Sequence, residues 1–516
     1  MGNNIKIQPK FEGLENPETF INHVKGLVDT QKSVGHKKIL DRLLEEIEPI
    51  DYQERVFSGV FQIRKSLDEQ DSNIDEFEKQ LDDLKLKENH LLIETIENLL
   101  ELAKKNNWGL CKNQGRTYIY NGAYWASIEK ETLQKFLGDA AERMGVSRYR
   151  ARYYRFQENL VRQFYASAYL QAPEPSPDKV MINLLNGTYE ITPKSRGLRP
   201  FNANDFLTHQ LPFEYDPKAK APIFNEYLNK VLPDKDSQKS LSEFLGYVFI
   251  SPRTLKLEKA LILYGSGANG KSVFFEIVNS LLGEENITNY SLQSLTDEKG
   301  YQRAKFGGSL LNYASEISVH MNNAIFKQLV SGEPVDARLP YGEPFMLTNY
   351  GKLLFNCNRL PRDVEQTNAF FRRFLIVHFN VTIPEDEQDK TLHTKIIDQE
   401  LSGVFNWMLE GLDRLLIQKR FTESEASKRN LDEYRRSSDN VMQFIEECCS
   451  KEDADYCTTV RDLYSAYKSY TLDGGYRPVS CGTLRERLQE NGITVWQDRK
   501  VYVAKLTHPS IPTRKI

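Results

Sequence analysis

The stretch Gly265-Ser-Gly-Ala-Asn-Gly270-Lys271-Ser272 carries the spacing GxxxxGKS. Glycines in such a loop let the backbone wrap phosphate oxygens with its N–H groups. A helix that begins at the lysine points its positive end at the same anion. Lys271 then reaches the β- and γ-phosphates, and the Ser272 hydroxyl joins the shell of a Mg²⁺ ion. The chemistry implied is binding of a nucleoside triphosphate, ATP with Mg²⁺, in a cradle formed by Gly265, Ser266, Gly267, Ala268, Asn269, Gly270, Lys271 and Ser272. Hydrolysis needs an acid that holds the metal or polarises water. Glu316, at the end of SLLNYASE, is the candidate, and no aspartate stands beside it. Asn358 closes the run KLLFNCN, where an amide could bond both the γ-phosphate and the water. Asn356 competes with it, because positions 356 and 358 share a strand face. Arg372 and Arg373, in Phe370-Phe-Arg-Arg-Phe374, offer an arginine finger for a neighbouring subunit; on a strand only one of the two can aim at the site.

Positioning these groups requires alternating strands and helices. ALILYG (260–265) reads as a buried strand and VFFEIVNSLLG (273–283) as the helix after the loop. SLLNYAS (309–315) and KLLFNCN (352–358) read as further strands, FFRRF as the opening of another, and SLSEFLGYVFI (240–250) as a packed helix. Helical segments follow Phe379 to about Arg436, and a small mixed domain closes the chain. Upstream, Ile74, Phe77, Leu81 and Leu84, then Ile93, Ile96 and Leu100, repeat at helical steps. Asn121-Gly122 reads as a hairpin turn within TYIYNGAYWASI. In SRYRARYYRFQENLVRQFYASAYL (147–170), five arginines alternate with aromatic residues. Such a run either packs a core with a charged rim or holds single-stranded nucleic acid by phosphate contact and stacking.

The 516 residues are enough for about three domains. No apolar run approaches the roughly 18 residues of a membrane span, so no membrane partner is expected. The N-terminus lacks a signal-peptide core and the six cysteines show no zinc spacing, which together point to the cytoplasm. Net charge is −4, but unevenly spread: residues 67–102 hold 12 acidic and 3 basic residues, whereas 473–516 hold 8 basic and 4 acidic. The basic tail has the footprint of a nucleic-acid contact.

In order and spacing, GSGANGKS, the ASE ending at Glu316, SGEPVDARLPYGEPF (331–345), FNCNRLPR (355–362) and FFRRF resemble the superfamily 3 helicases. The resemblance is greatest to the phage and plasmid primase–helicases related to the poxvirus enzyme. It implies an α/β fold: an AAA+ P-loop NTPase core, an α-rich N-terminal region and a C-terminal winged-helix domain. The expected divisions are an acidic helical region at 1–105, a pre-helicase domain at 106–235, the helicase domain at 236–435 and the winged helix at 439–516. Implied also are a homo-hexameric ring, 3′-to-5′ movement on one DNA strand, and replication of a phage, plasmid or mobile element. No primase activity is expected, because the first 110 residues lack a strand-borne acidic pair; a separate primase or other replication proteins would be partners. Arg338 and Tyr341 are the candidates for DNA contact on a pore hairpin. In the terminal domain, Ser480 reads as the N-cap of CGTLRERLQE, and Arg485, Arg487, Arg499 and Lys500 are the candidates for duplex contact, with protein packing as the alternative. Two rival functions remain from other classes: an origin-binding initiator that melts DNA, and an AAA+ ATPase acting on protein or RNA.

Overall fold

A run as apolar as Ala260–Tyr264 is stable as a strand only when both its edges are paired and both its faces covered. The computed structural model supplies both conditions. It describes residues 35–66, 84–113, 116–170, 176–315, 321–340, 342–358, 360, 365–450, 456–475, 478–498 and 501–515. The chain divides into two units at Tyr215/Asp216.

In the first unit, helices α1 (His36–Glu46), α2 (Glu88–Lys105), α3 (Lys130–Arg143) and α4 (Tyr154–Ser167) share one core with Ile39, Leu43, Leu99, Leu137, Leu160 and Phe164 at its centre. Helix α2 turns Leu91, Thr95, Ile96, Leu99 and Ala103 inward, whereas Ile93 and Leu100 are only half-buried. Because this core joins residues on both sides of position 105, the expected division there is not a boundary between separately packed bodies. Residues Ile74, Phe77 and Leu81 of the first stripe lie outside the described residues. Strands β1 (Gly109–Asn113), β2 (Arg116–Tyr120) and β3 (Trp125–Ile128) form one antiparallel meander, and β4 (Val180–Leu184), β5 (Gly187–Ile191) and β6 (Arg196–Arg199) another. The turn between β2 and β3 is built as its sequence predicts. Asn121 Oδ1 accepts from the backbone N–H groups of Ala123 and Tyr124, and Gly122 takes φ +96°.

The second unit opens with α5 (Pro222–Val231) and α6 (Lys235–Tyr247) and centres on a five-stranded parallel sheet. Its strands are β7 (Ala260–Tyr264), β8 (Ile287–Thr288), β9 (Leu311–Ala314), β12 (Lys352–Cys357) and β13 (Phe374–His378), in the spatial order β13-β7-β12-β9-β8. Helices α7 (Lys271–Leu282), α8 (Tyr301–Phe306) and α9 (Asn323–Ser331) fall between them, and a two-stranded hairpin, β10 (Val335–Ala337) with β11 (Phe345–Leu347), stands apart from the sheet. The segment expected to open a strand at Phe370 is instead a helical turn, α10 (Asn368–Phe371). Thr367 Oγ1 caps it by accepting from Phe370 N, and β13 begins only at Phe374.

The long α11 (Leu392–Gln418) packs against α5, α6 and α7 and meets α6 at close range. A Cβ on Gly411 would lie 2.4 Å from the Ser242 backbone, and one on Gly246 would lie 2.7 Å from Leu412 Cβ. Glu400, buried on α11, accepts from Ile223 N and Phe224 N at 2.9 and 2.8 Å and so caps α5. This contact ties residues 222–231 to the sheet-bearing unit, which begins at Asp216. After α12 (Glu425–Ser438) come α13 (Asn440–Cys448), β14 (Tyr456–Thr459), α14 (Val460–Asp473), α15 (Cys481–Glu490), β15 (Val495–Asp498), β16 (Val501–Ala504) and β17 (Arg514–Lys515). The strands pair antiparallel in the order β15-β16-β14-β17 around a core of Val441, Phe444, Leu463, Tyr467, Leu484 and Leu488. Ser480 caps α15 by accepting from Thr483 N, as its sequence predicts. Among the described residues, no helix is long and apolar enough to cross a membrane.

Arg303 on α8 is fully buried and fastens the hairpin to the body of the unit. Its Nε donates to Asp336 O at 2.7 Å, and Nη1 donates to the carbonyls of Leu295 and Asp297. Arg303→Met preserves apolar volume but leaves these carbonyls without their donor. It should lower the unfolding free energy by about 3 kcal/mol, read from urea denaturation. An unchanged midpoint would mean that the hairpin is held in another way.

Candidate functional site

The loop Gly265–Gly270 leaves the carboxyl end of β7 and turns directly into α7. Gly267, Ala268 and Gly270 take φ values of +111°, +49° and +84°, which curl the backbone into a concave turn. Four backbone or amide contacts hold it. Gly265 N donates to Cys357 O at 3.2 Å and Ile383 N to Ala268 O at 2.8 Å. Asn269 Nδ2 donates to Phe379 O at 2.9 Å, and the Tyr227 hydroxyl donates to Gly270 O at 2.8 Å. There is no room for side chains at the ends of the loop. A Cβ on Gly270 would lie 2.7 Å from Val231 Cγ1, and one on Gly265 would lie 2.5 Å from Phe379 O.

Lys271 is the first residue of α7 and is buried. Its Nζ donates to Gly265 O at 2.7 Å and to Asn269 Oδ1 at 2.9 Å, which places the ammonium under the loop. Burial holds its pKa below the ordinary lysine value, and burial likewise pushes the neighbouring Cys357 thiol up to about 12. His378, whose ring lies 4.7 Å from that of Tyr264, is also shifted down, first by burial and then by the Lys271 charge, opposed by Glu433 and Asn430. It is therefore neutral at pH 7. The buried cation, the helix start and the exposed Ser272 beside it fit a polyphosphate with a hard cation; Ser272 and Glu316 would hold the metal.

The sheet order brings the ends of β9 and β12 toward this loop. Asn358 lies exposed one residue past β12, the strand next to β7. Asn356 is committed inside the sheet, where its Oδ1 accepts from the Tyr313 hydroxyl at 3.0 Å. Glu316 falls outside the described residues, two positions beyond the end of β9.

The two arginines separate at the other end of the sheet. Arg373 O accepts from Ala260 N at 2.8 Å, so the pair sits at the start of β7, a strand length from the loop. At ~3.3 Å per residue that distance is roughly 15 Å. Arg373 is buried: Nη1 donates to Ala369 O, Nη2 donates to Ser331 Oγ at 3.1 Å, and Nη2 lies 3.6 Å from Glu258. It is a structural residue, which removes it from the two finger candidates. Arg372 is 60% exposed, with Glu258 at 3.5 Å and its carbonyl bonded by Lys259 Nζ. Glu258, at φ +53°, and Lys259 immediately precede β7; nothing in their local sequence marks Glu258 as the partner of both arginines or Lys259 as the donor to the Arg372 carbonyl. Tyr227 is a second residue that no motif marks.

On the hairpin, Arg338 is exposed and its Nε braces the turn by donating to Gly342 O at 2.8 Å; Tyr341 lies outside the described residues. In the terminal domain Arg485 stacks its guanidinium 4.3 Å from the Tyr502 ring centroid, and Arg499 and Lys500 lie outside the described residues. Arg487 does not fit the expected duplex contact. It is buried with its Nη1 3.6 Å from Asp439, because the period of α15 turns Leu484, Arg487 and Leu488 to the same inner face.

The arrangement defines a parallel α/β protein with a phosphate-type loop at the carboxyl end of a central strand. Three stretches match protein-family profiles. Residues 97–233 match the family described as D5 N terminal like, 263–373 a family of unknown function (DUF5906), and 436–511 the family described as Poxvirus D5 protein-like. A protein of Acanthamoeba polyphaga mimivirus named as a helicase (L207/L206) is 26% identical over 168 residues, which span 30% of this chain and 17% of that relative. Two structures of the NrS-1 C terminal region align over 78% and 81% of this chain and 97% and 99% of theirs, at 15% and 14% identity and TM-scores of 0.44 and 0.43. In the order and character of these matches the chain is similar to the phage- and poxvirus-type primase–helicases of superfamily 3, and it spans about a sixth of the length of the viral relative it matches.

The different burial of the adjacent arginines gives a direct test. Arg373→Ala removes two hydrogen bonds from the interior and should cost about 2–4 kcal/mol of stability. Arg372→Ala loses one exposed ion pair and should cost less than about 1 kcal/mol. Chemical denaturation of both variants measures the difference, and equal losses would contradict the assignment of Arg373 as structural.

Proposed function

We propose that this chain is an ATP-driven, ring-forming DNA helicase that moves 3′ to 5′ on one strand during replication of a phage, plasmid or mobile element. Its core is read as an AAA+ P-loop ATPase and its C-terminal domain as a winged helix. The observation that carries the reading is the Gly265–Ser272 loop, which presents a buried lysine and a helix start at the carboxyl end of a central parallel strand.

In this reading Lys271 leaves its loop contacts to meet the β- and γ-phosphates. Ser272 and Glu316 hold Mg²⁺, which when bound neutralises phosphate charge. Glu316 orients the attacking water, and Asn358, free of the bond that commits Asn356, faces the terminal phosphate. Arg372 serves the site of the next subunit, because it stands at the opposite end of β7 from its own loop. Arg338 on the β10–β11 hairpin contacts the strand being moved, and Arg485 of the terminal domain contacts duplex.

ATP turnover should rise when single-stranded DNA is added, and Lys271→Ala should reduce it at least about a hundredfold with the fold intact. Glu316→Gln should bind nucleotide yet not turn it over. Turnover that is indifferent to DNA, or that survives in Lys271→Ala, would overturn the reading. For the shared site, inactive Arg372→Ala and inactive Lys271→Ala proteins should recover activity when mixed, since some interfaces then pair an intact loop with an intact arginine. Mixed assemblies that form without recovery would exclude the trans arrangement.

A further inference from the structure

The run of arginines and aromatic residues at 147–170 divides cleanly by chemistry. Phe156, Leu160, Val161 and Phe164 point into the core of the first unit and are at most 2% exposed. The tyrosines at the start of the run point out: Tyr149 is 91%, Tyr154 54% and Tyr153 47% exposed. They sit on a short helix (Arg148–Ala151) and the first turn of α4, with Tyr153 as the residue between. Arginines of the same stretch fall into two groups. Arg150 and Arg152 are neutralised by Glu88 and Glu142, at 3.2 and 2.8 Å. Arg148 and Arg155 have no ion pair among the described residues. Arg155 instead donates from Nε to the Tyr154 hydroxyl at 3.0 Å and lies 5.8 Å from that ring's centroid. No acidic residue occurs from Ser147 to Gln157.

We propose that Arg148, Tyr149, Tyr153, Tyr154 and Arg155 form a binding surface for single-stranded DNA on the first unit. The charge favours a polyanion: Arg155 has no ion pair among the described residues, and Arg148 shares the field of Glu142 with Arg152, which holds the direct ion pair. The rings require exposed base faces, which a single strand presents and a duplex buries in its own stack. The inference rests on the reading of the chain as a DNA enzyme and gives it a second grip on the unwound strand.

The test is fluorescence anisotropy of a labelled dT30 oligonucleotide with the full chain, in the absence of nucleotide. The triple variant Tyr149→Ala, Tyr153→Ala, Tyr154→Ala should bind at least about tenfold more weakly, with an unchanged unfolding midpoint because the three side chains face solvent. The corresponding triple Tyr→Phe variant keeps the stacking faces and should bind like the wild type. The pair Arg148→Gln, Arg155→Gln should flatten the salt dependence by about 1.4 in log–log slope, at ~0.7 per single-strand phosphate. A dT30 carrying 5-iododeoxyuridine should crosslink on irradiation to the peptide containing residues 149–154. The surface proposal alone falls if wild-type protein binds dT30 and the alanine triple binds equally well. It falls too if the phenylalanine triple loses as much as the alanine triple, or if the alanine triple changes the oligomeric state and leaves DNA affinity intact. If the wild type hydrolyses ATP but does not bind dT30 at all, the DNA reading of the whole chain falls with it.

Discussion

Strand β7 is short, apolar and buried, so every backbone group along both its edges must be paired inside the protein. Strand β12 satisfies one edge and β13 the other, and that requirement decides where the chemistry sits. The two neighbours carry the chain past both sides of the loop that follows β7. Cys357, the last residue of β12, and Phe379, the residue after β13, then accept the hydrogen bonds of Gly265 and Asn269. A loop with three positive-φ residues is poorly determined by its own sequence preferences. Here it inherits its shape from the ends of the strands around it.

The lysine under the loop depends on the same contacts. Asn269 is held at both ends of its amide: the nitrogen gives to Phe379 O and the oxygen takes from Lys271 Nζ. The position of the ammonium is thereby linked to the strand next to β7. Support continues outward through Tyr227, whose hydroxyl holds Gly270 O, and through Glu400, which caps the helix carrying Tyr227. Three layers, α11, α5 and the loop, are thus joined by polar contacts buried among apolar packing, where such bonds are costly to leave unmade.

The parts of the fold that could be read directly were those whose signal is local. An apolar run followed by GxxxxGKS and a helical period marked β7, the loop and α7. Asn121-Gly122 marked a turn, and Ser480 marked a helix start. What could not be read depended on partners far away in the chain. The burial of Arg487 is decided by Asp439, and that of Arg373 by Glu258 and Ser331, so neighbouring arginines with the same local context have opposite exposures. The attachment of α5 to the second unit involves Glu400 reaching it from α11, a contact with no trace in the sequence near either element. The helical turn at 368–371 is a different kind of miss. The structure caps it with Thr367, whereas the aromatic residues that follow favour strands in general.

The placement of Arg372 and the Gly265–Ser272 loop at opposite ends of one strand also constrains symmetry. If Arg372 completes a neighbour's site, the two surfaces that meet are different patches of the same molecule, a head-to-tail contact. A two-fold dimer could satisfy such a contact at both of its sites only if the loop and the arginine fell within one self-complementary interface, each arginine entering the other subunit's site. Repetition of a head-to-tail contact either closes on itself as a cyclic assembly or runs on as an open helical filament. Only the closed form leaves no subunit with an uncompleted site. The geometry of a five-residue strand would then decide that the smallest fully competent unit is an entire closed assembly, in which each subunit's strand lies between two nucleotides and its polarity gives the assembly a direction.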